Sequence, residues 1–89
     1  MTSKFIPFAP DLAVEVVSPP DTADEIQRKV ENYMKYGTRI LWVAYSKTKS
    51  VAVHTPQGST IVDIDGTLDG GDVLPGFKLE LKKVFGKKR

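Results

Sequence analysis

The 89-residue sequence contains no cysteine, which excludes disulfide bridges, thiolate zinc sites and a cysteine nucleophile. The usual staples of a small domain are therefore missing, and stability has to come from one modest hydrophobic core, with or without a partner's help. No apolar run approaches the roughly 18 residues that span a bilayer. Met1 to Pro10 also lacks the basic start and long apolar stretch of a secretion signal. These absences predict a cytoplasmic chain with no membrane partner. Neither a glycine-rich phosphate loop nor a Gly-x-Ser-x-Gly elbow is present, so nucleotide hydrolysis and serine-hydrolase chemistry have no support. The net charge of +2 is too small to imply nucleic-acid binding by itself.

What is present is the composition of an ordinary globular chain, 40% apolar and 27% charged, which excludes collagenous and disordered classes. The length fits one domain. The patterning predicts an extended lead-in over 1–10, a domain over 11–85 and a basic tail over 86–89. From Lys78 onward six basic residues (Lys78, Lys82, Lys83, Lys87, Lys88 and Arg89) face a single acid, Glu80. Such a stretch can lie on phosphate or serve as a solvated terminus, and charge alone leaves both open.

Leu12-Ala13-Val14-Glu15-Val16-Val17 is a nearly unbroken apolar run closed by Ser18-Pro19-Pro20, the pattern of a central strand buried on both faces. Asp21 and Thr22 then offer N-caps, and Thr22-Ala23-Asp24-Glu25 fits a capping box, so a helix starts there. Ile26, Val30, Tyr33 and Met34 form its apolar stripe, and Gly37 suits a left-handed residue just past its end near Tyr36. Residues 39–45 make a second strand, and a β-α-β unit of this kind predicts parallel neighbours. Ser50 to Thr55 and Ser59 to Ile64 alternate between polar turns and predict an antiparallel meander. Residues 63–72 read as a turn-rich connection, and Val73 to Phe77 as a segment that closes the core. The predicted fold is α/β, a mixed sheet with element order β-α-β-β-β and a short terminal strand or turn.

Glu15 is the most informative residue, because an ionised carboxylate inside a buried strand costs several kcal/mol unless it is paired, coordinated or protonated. Asp11 would share its face, but at about 3.3 Å per residue the two lie about 13 Å apart, too far to hold one ion together. Lys29 borders the apolar stripe of the helix, about 60° from Ile26 and about 40° from Tyr33, so its ammonium can reach toward Glu15. Two readings follow from that spacing. One is a metal-binding Glu15 with a lysine that stabilises charge at phosphate, and the other is a structural ion pair. The run of acids at 63–72 has some likeness to a calcium loop, but Gly66 arrives two positions early, and turn chemistry is the better account. His54 reads as a sheet or surface residue, and Trp42, Tyr33 and Tyr36 as core or interface.

Pro10-Asp11-Leu12-Ala13-Val14-Glu15-Val16-Val17-Ser18-Pro19, then Asp21, Lys29 and Tyr33 on a helix, Gly37, Leu41-Trp42-Val43 and the late Leu74-Pro75-Gly76-Phe77 together resemble the Uma family of restriction endonucleases. That family lies within the PD-(D/E)XK nuclease-like superfamily, and the resemblance covers about residues 9 to 85. It implies a restriction-endonuclease-like fold, magnesium or manganese as cofactor, and phosphodiester hydrolysis of DNA. It also implies that Glu15 is the metal-binding acid of the strand. Val17 stands where the superfamily has its lysine, and Lys29 matches the position on the following helix to which this family moves it. Asp11 matches the recurrent Pro-Asp that opens the strand, a secondary member of the site.

Family members carry a longer segment before this one, including the strand with the first metal-binding Asp. Only ten residues precede Asp11 here, and none is acidic. The expectation is a partial domain, truncated at its N-terminus, that lacks the partner Asp. Two functions are compatible with it: a metal-dependent endonuclease, or a non-catalytic domain that complements another chain or forms a homo-oligomer through an exposed sheet edge.

Overall fold

A computed structural model describes residues 10–85. The expected lead-in, Pro10 apart, and the 86–89 tail lie outside the described residues. Five elements follow the predicted order: β1 (Leu12–Val16), α1 (Ala23–Lys35), β2 (Ile40–Tyr45), β3 (Ser50–Thr55) and β4 (Gly58–Val62). They form a four-stranded sheet in the order β1-β2-β3-β4. β1 and β2 are parallel, with Leu12 opposite Ile40 and Glu15 opposite Val43. β2 to β4 run antiparallel to one another, so the sheet is mixed as expected.

Local chemistry accounts for α1. The Thr22 side chain accepts from the Glu25 backbone N–H at 3.1 Å, and the Glu25 carboxylate accepts from the Thr22 N–H at 2.9 Å. The capping box expected from the sequence is therefore fully formed. At the far end Gly37 takes φ +102°, a conformation that carries no penalty only for glycine. Between these ends Val30 is buried, with Ile26, Tyr33 and Met34 beside it, against Leu41, Val43 and Ala52 of the sheet. Arg28 and Glu31 face solvent.

The opposite face of the sheet carries a layer whose first strand lies where the sequence pattern predicts only a turn-rich connection. β5 (Thr67–Asp69) pairs antiparallel with β6 (Lys78–Glu80), and α2 (Leu81–Phe85) follows. Leu68 and Leu81 from this layer bury against Ile40, Trp42 and Val51. Trp42 stacks on Phe77, with ring centroids 6.1 Å apart, and Val73 packs against the same cluster, so the 73–77 segment meets the core at these two residues while Leu74 and Phe77 stay partly exposed. Gly70 has to be glycine here, because a Cβ would lie 2.5 Å from the Leu74 carbonyl oxygen. Lys78 pairs with Asp69, and Lys82 with Asp65 at 3.4 Å, so two members of the basic C-terminal stretch are engaged by the acids of the 63–72 segment.

One expectation is corrected. β1 is not central: it is an edge strand with β2 as its single neighbour in the described sheet. Its inward face carries Ala13 and Glu15. On its other face the β5–β6 layer covers Leu12 and leaves Val14 54% and Val16 63% exposed. An apolar run shows that a strand resists water, but not which element lies over each face.

Candidate functional site

The β1–α1 unit concentrates the chemistry-bearing side chains. Alternation along β1 turns Glu15 toward α1, where it is 9% exposed among Ala13, Val43 and the helix. A buried ionised carboxylate needs donors. α1 supplies two from positions one turn apart, Lys29 and Tyr33, which the helical repeat places on the same face. The Tyr33 hydroxyl donates to Glu15 Oε2 at 2.9 Å. Lys29 Nζ stands 3.6 Å from the other oxygen, Oε1, with its side chain 31% exposed. Each carboxylate oxygen thus faces a different donor.

Burial, the hydrogen bond to Glu15 and the negative charge of that carboxylate together push the Tyr33 phenol up to about 12. Tyr33 therefore keeps its proton and acts as a donor throughout the neutral range. Helical periodicity assigns Tyr33 to core or interface packing. Its ring does pack in the helix–sheet layer, and its hydroxyl belongs to the Glu15 site. Tyr36, given the same assignment, is instead 62% exposed, with Lys35 over its ring.

Glu15 and Lys29 line a shallow pocket open to solvent, whose walls include Asp21, Val17, Ile26 and Val30. Sequence pattern makes Asp21 a capping candidate, but Thr22 takes the cap and Asp21 closes the turn after β1. Its Oδ2 accepts from the Ser18 N–H at 2.8 Å, and its own N–H donates to the Ser18 carbonyl at 2.9 Å. This turn, in which the Asp21 carboxylate reaches back to the Ser18 N–H, sets a second acidic residue at the pocket wall. The signal for it is the Ser-Pro-Pro-Asp sequence, a turn motif directly after the strand that holds Glu15.

Asp11 stands just before β1. It is exposed, and its backbone carbonyl accepts from the N–H groups of Arg39 and Ile40 at 2.9 and 3.0 Å, which fixes the register of β1 on β2. No ion pair or hydrogen bond joins its side chain to Glu15 among the described residues. His54, on β3, is half-buried, and burial holds its imidazole below the usual value of 6.5.

The donor set can be tested against a divalent ion. Hard cations such as magnesium take oxygen ligands in near-octahedral geometry. Here one Glu15 oxygen is occupied by a tyrosine proton, the other faces an ammonium, and no group of three acidic or histidine side chains that could hold a metal occurs among the described residues. The described residues do not by themselves fit the metal that the resemblance implies. What the arrangement offers is a fixed carboxylate and an adjacent, partly exposed ammonium.

Comparison with known proteins agrees with the fold. Residues 2–82 match the Uma2 family model, described as "Putative restriction endonuclease". Among solved structures, the chain is similar to that of a putative nuclease of the DUF820 group from Anabaena variabilis, with a TM-score of 0.79 and 23% sequence identity over 89% of this chain. At that identity the likeness speaks for the fold, which is restriction-endonuclease-like. The chain spans 45% of that nuclease's length. No curated protein gives a match. Among the described residues no helix is long and apolar enough to cross a membrane.

Proposed function

The chain belongs to the Uma2 family, and from that premise we propose that residues 11–85 form a partial endonuclease domain for phosphodiester hydrolysis of DNA, with Glu15 and Lys29 as its reacting pair. The observation that carries this reading is the 3.6 Å approach of Lys29 Nζ to a nine-tenths buried Glu15 carboxylate at the wall of an open pocket. Lys29 has a solvent-facing side on which a phosphate oxygen can sit, and an ammonium there stabilises the negative charge that builds during attack. Glu15 Oε1, on the same side, can accept a hydrogen bond from the attacking water and orient it. Asp11 contributes through register rather than contact. Dependence on magnesium or manganese belongs to the proposal only with carboxylates from outside the described residues.

The test is incubation of the chain with plasmid DNA and magnesium or manganese, beside calorimetric titration of manganese. Wild-type cleavage that Glu15→Ala and Lys29→Ala both abolish is the expected result. Absence of both cleavage and metal binding in the wild type overturns the reading.

A second reading, a non-catalytic domain that forms a homo-oligomer, is favoured by one observation, the outer edge of β1, which no strand among the described residues pairs with and beside which Val14 and Val16 are exposed. A second copy suits it, because two β1 strands can pair antiparallel about a twofold axis with the same residues on both sides. Size-exclusion chromatography with light scattering is then expected to give a dimer, and a clean monomer removes this reading.

A further inference from the structure

Tyr33 stands one helical turn beyond Lys29 on α1, and both meet the same carboxylate. A carboxylate on a glutamate stem has three torsions, and one ammonium at 3.6 Å does not fix its plane. A second donor on the opposite oxygen does. The 2.9 Å bond from the Tyr33 hydroxyl to Oε2 leaves Oε1 as the oxygen presented to Lys29, which lines the same pocket as Glu15. Packing alone does not account for the hydroxyl: phenylalanine would fill the layer formed with Val30, Leu41 and Val43 equally well, and would leave Oε2 buried without its donor.

We propose that Tyr33 is a positioning residue that locks the Glu15 carboxylate so that Oε1 faces Lys29, making Glu15, Lys29 and Tyr33 one functional unit. The proposal deepens the endonuclease reading and rests on it for the purpose of the unit, whereas the locking itself is measurable without any catalysis. Because Lys29 and Tyr33 belong to one rigid helix, any shift of α1 along β1 displaces both donors together. The unit is therefore assembled or lost as a whole.

The experiment is Tyr33→Phe, which removes one oxygen and keeps the ring. High-resolution crystal structures of wild type and variant are expected to show Glu15 leaving its single rotamer in the variant, with Oε1 no longer within about 4 Å of Lys29 Nζ. An unchanged Glu15 rotamer with the Lys29 contact intact overturns the proposal. A spectroscopic arm needs only the folded chain: Glu15→Ala is expected to shift the near-ultraviolet tyrosine band in the wild-type background and not in the Tyr33→Phe background. Equal shifts in both backgrounds also overturn the proposal. Where wild type cleaves DNA, Tyr33→Phe is expected to lower kcat on the order of tenfold to a hundredfold with KM unchanged. An unaltered kcat beside a displaced Glu15 overturns the catalytic purpose of the unit. A wild type that neither cleaves nor binds metal defeats the endonuclease reading, and the structural and spectroscopic arms still decide the locking.

Discussion

Glu15 is held by two donors of different kinds, and pH separates them. An unfolded tyrosine loses its proton near its ordinary value of 10.0, whereas folded Tyr33 keeps it up to about 12, first through burial and then through its bond to Glu15. Between those values the folded chain binds more protons than the unfolded one. The stabilisation is therefore fully present below about pH 10 and is lost as the pH rises toward about 12. Urea midpoints are expected to fall more steeply between about pH 10 and about pH 12 for wild type than for Tyr33→Phe. Parallel behaviour of the two proteins would mean that the hydroxyl does not hold its proton against Glu15. The same residue marks a limit of sequence reading. The 100° helical repeat places Lys29 at the border of the apolar stripe and so anticipates its approach to Glu15. It places Tyr33 inside the stripe, where a phenol reads as packing, because the direction in which a ring's hydroxyl points is set by the strand it lies against.

At the scale of elements, α1 is the part most directly written in local sequence. Its start rests on the reciprocal Thr22 and Glu25 bonds and its end on Gly37 at φ +102°. Thr22→Ala is expected to cost about 1 kcal/mol in chemical denaturation by leaving a first-turn N–H without its acceptor. A change within error would show that the cap is dispensable beside the packing of Val30. β2, β3 and β4 are legible for a related reason: alternation and polar turns are properties of consecutive residues. β5 and β6 are not. Each has three residues, they stand on either side of the Gly70-to-Phe77 turn region, and Leu68 and Leu79 become a strand pair only through each other. The edge position of β1 is equally hidden, since Val14 and Val16 have the residue types of a buried strand, and their exposure follows from how far the β5–β6 layer extends.

At the scale of the molecule, two layers cover the sheet unequally. α1 shields the face that holds Glu15, while the β5–β6 layer stops short of β1. If β1 joins two copies, Val14→Lys with Val16→Lys is expected to convert a dimer to a monomer in light scattering while the far-ultraviolet spectrum stays unchanged, since both side chains already face solvent. Survival of the dimer would place its interface elsewhere. The pairing of β1 with β2 also bears on the order of folding. β2, β3 and β4 follow one another through short turns and can zip as a local meander, whereas Leu12 reaches Ile40 only after the whole of α1 has formed a closed loop between them. Contacts that close long loops form late and tend to open early. Glu15 lies on the late strand and its two donors lie on the loop, so amide protons of β1 should exchange with solvent sooner than those of β2 and β3, and the carboxylate site should come apart while most of the sheet is still intact.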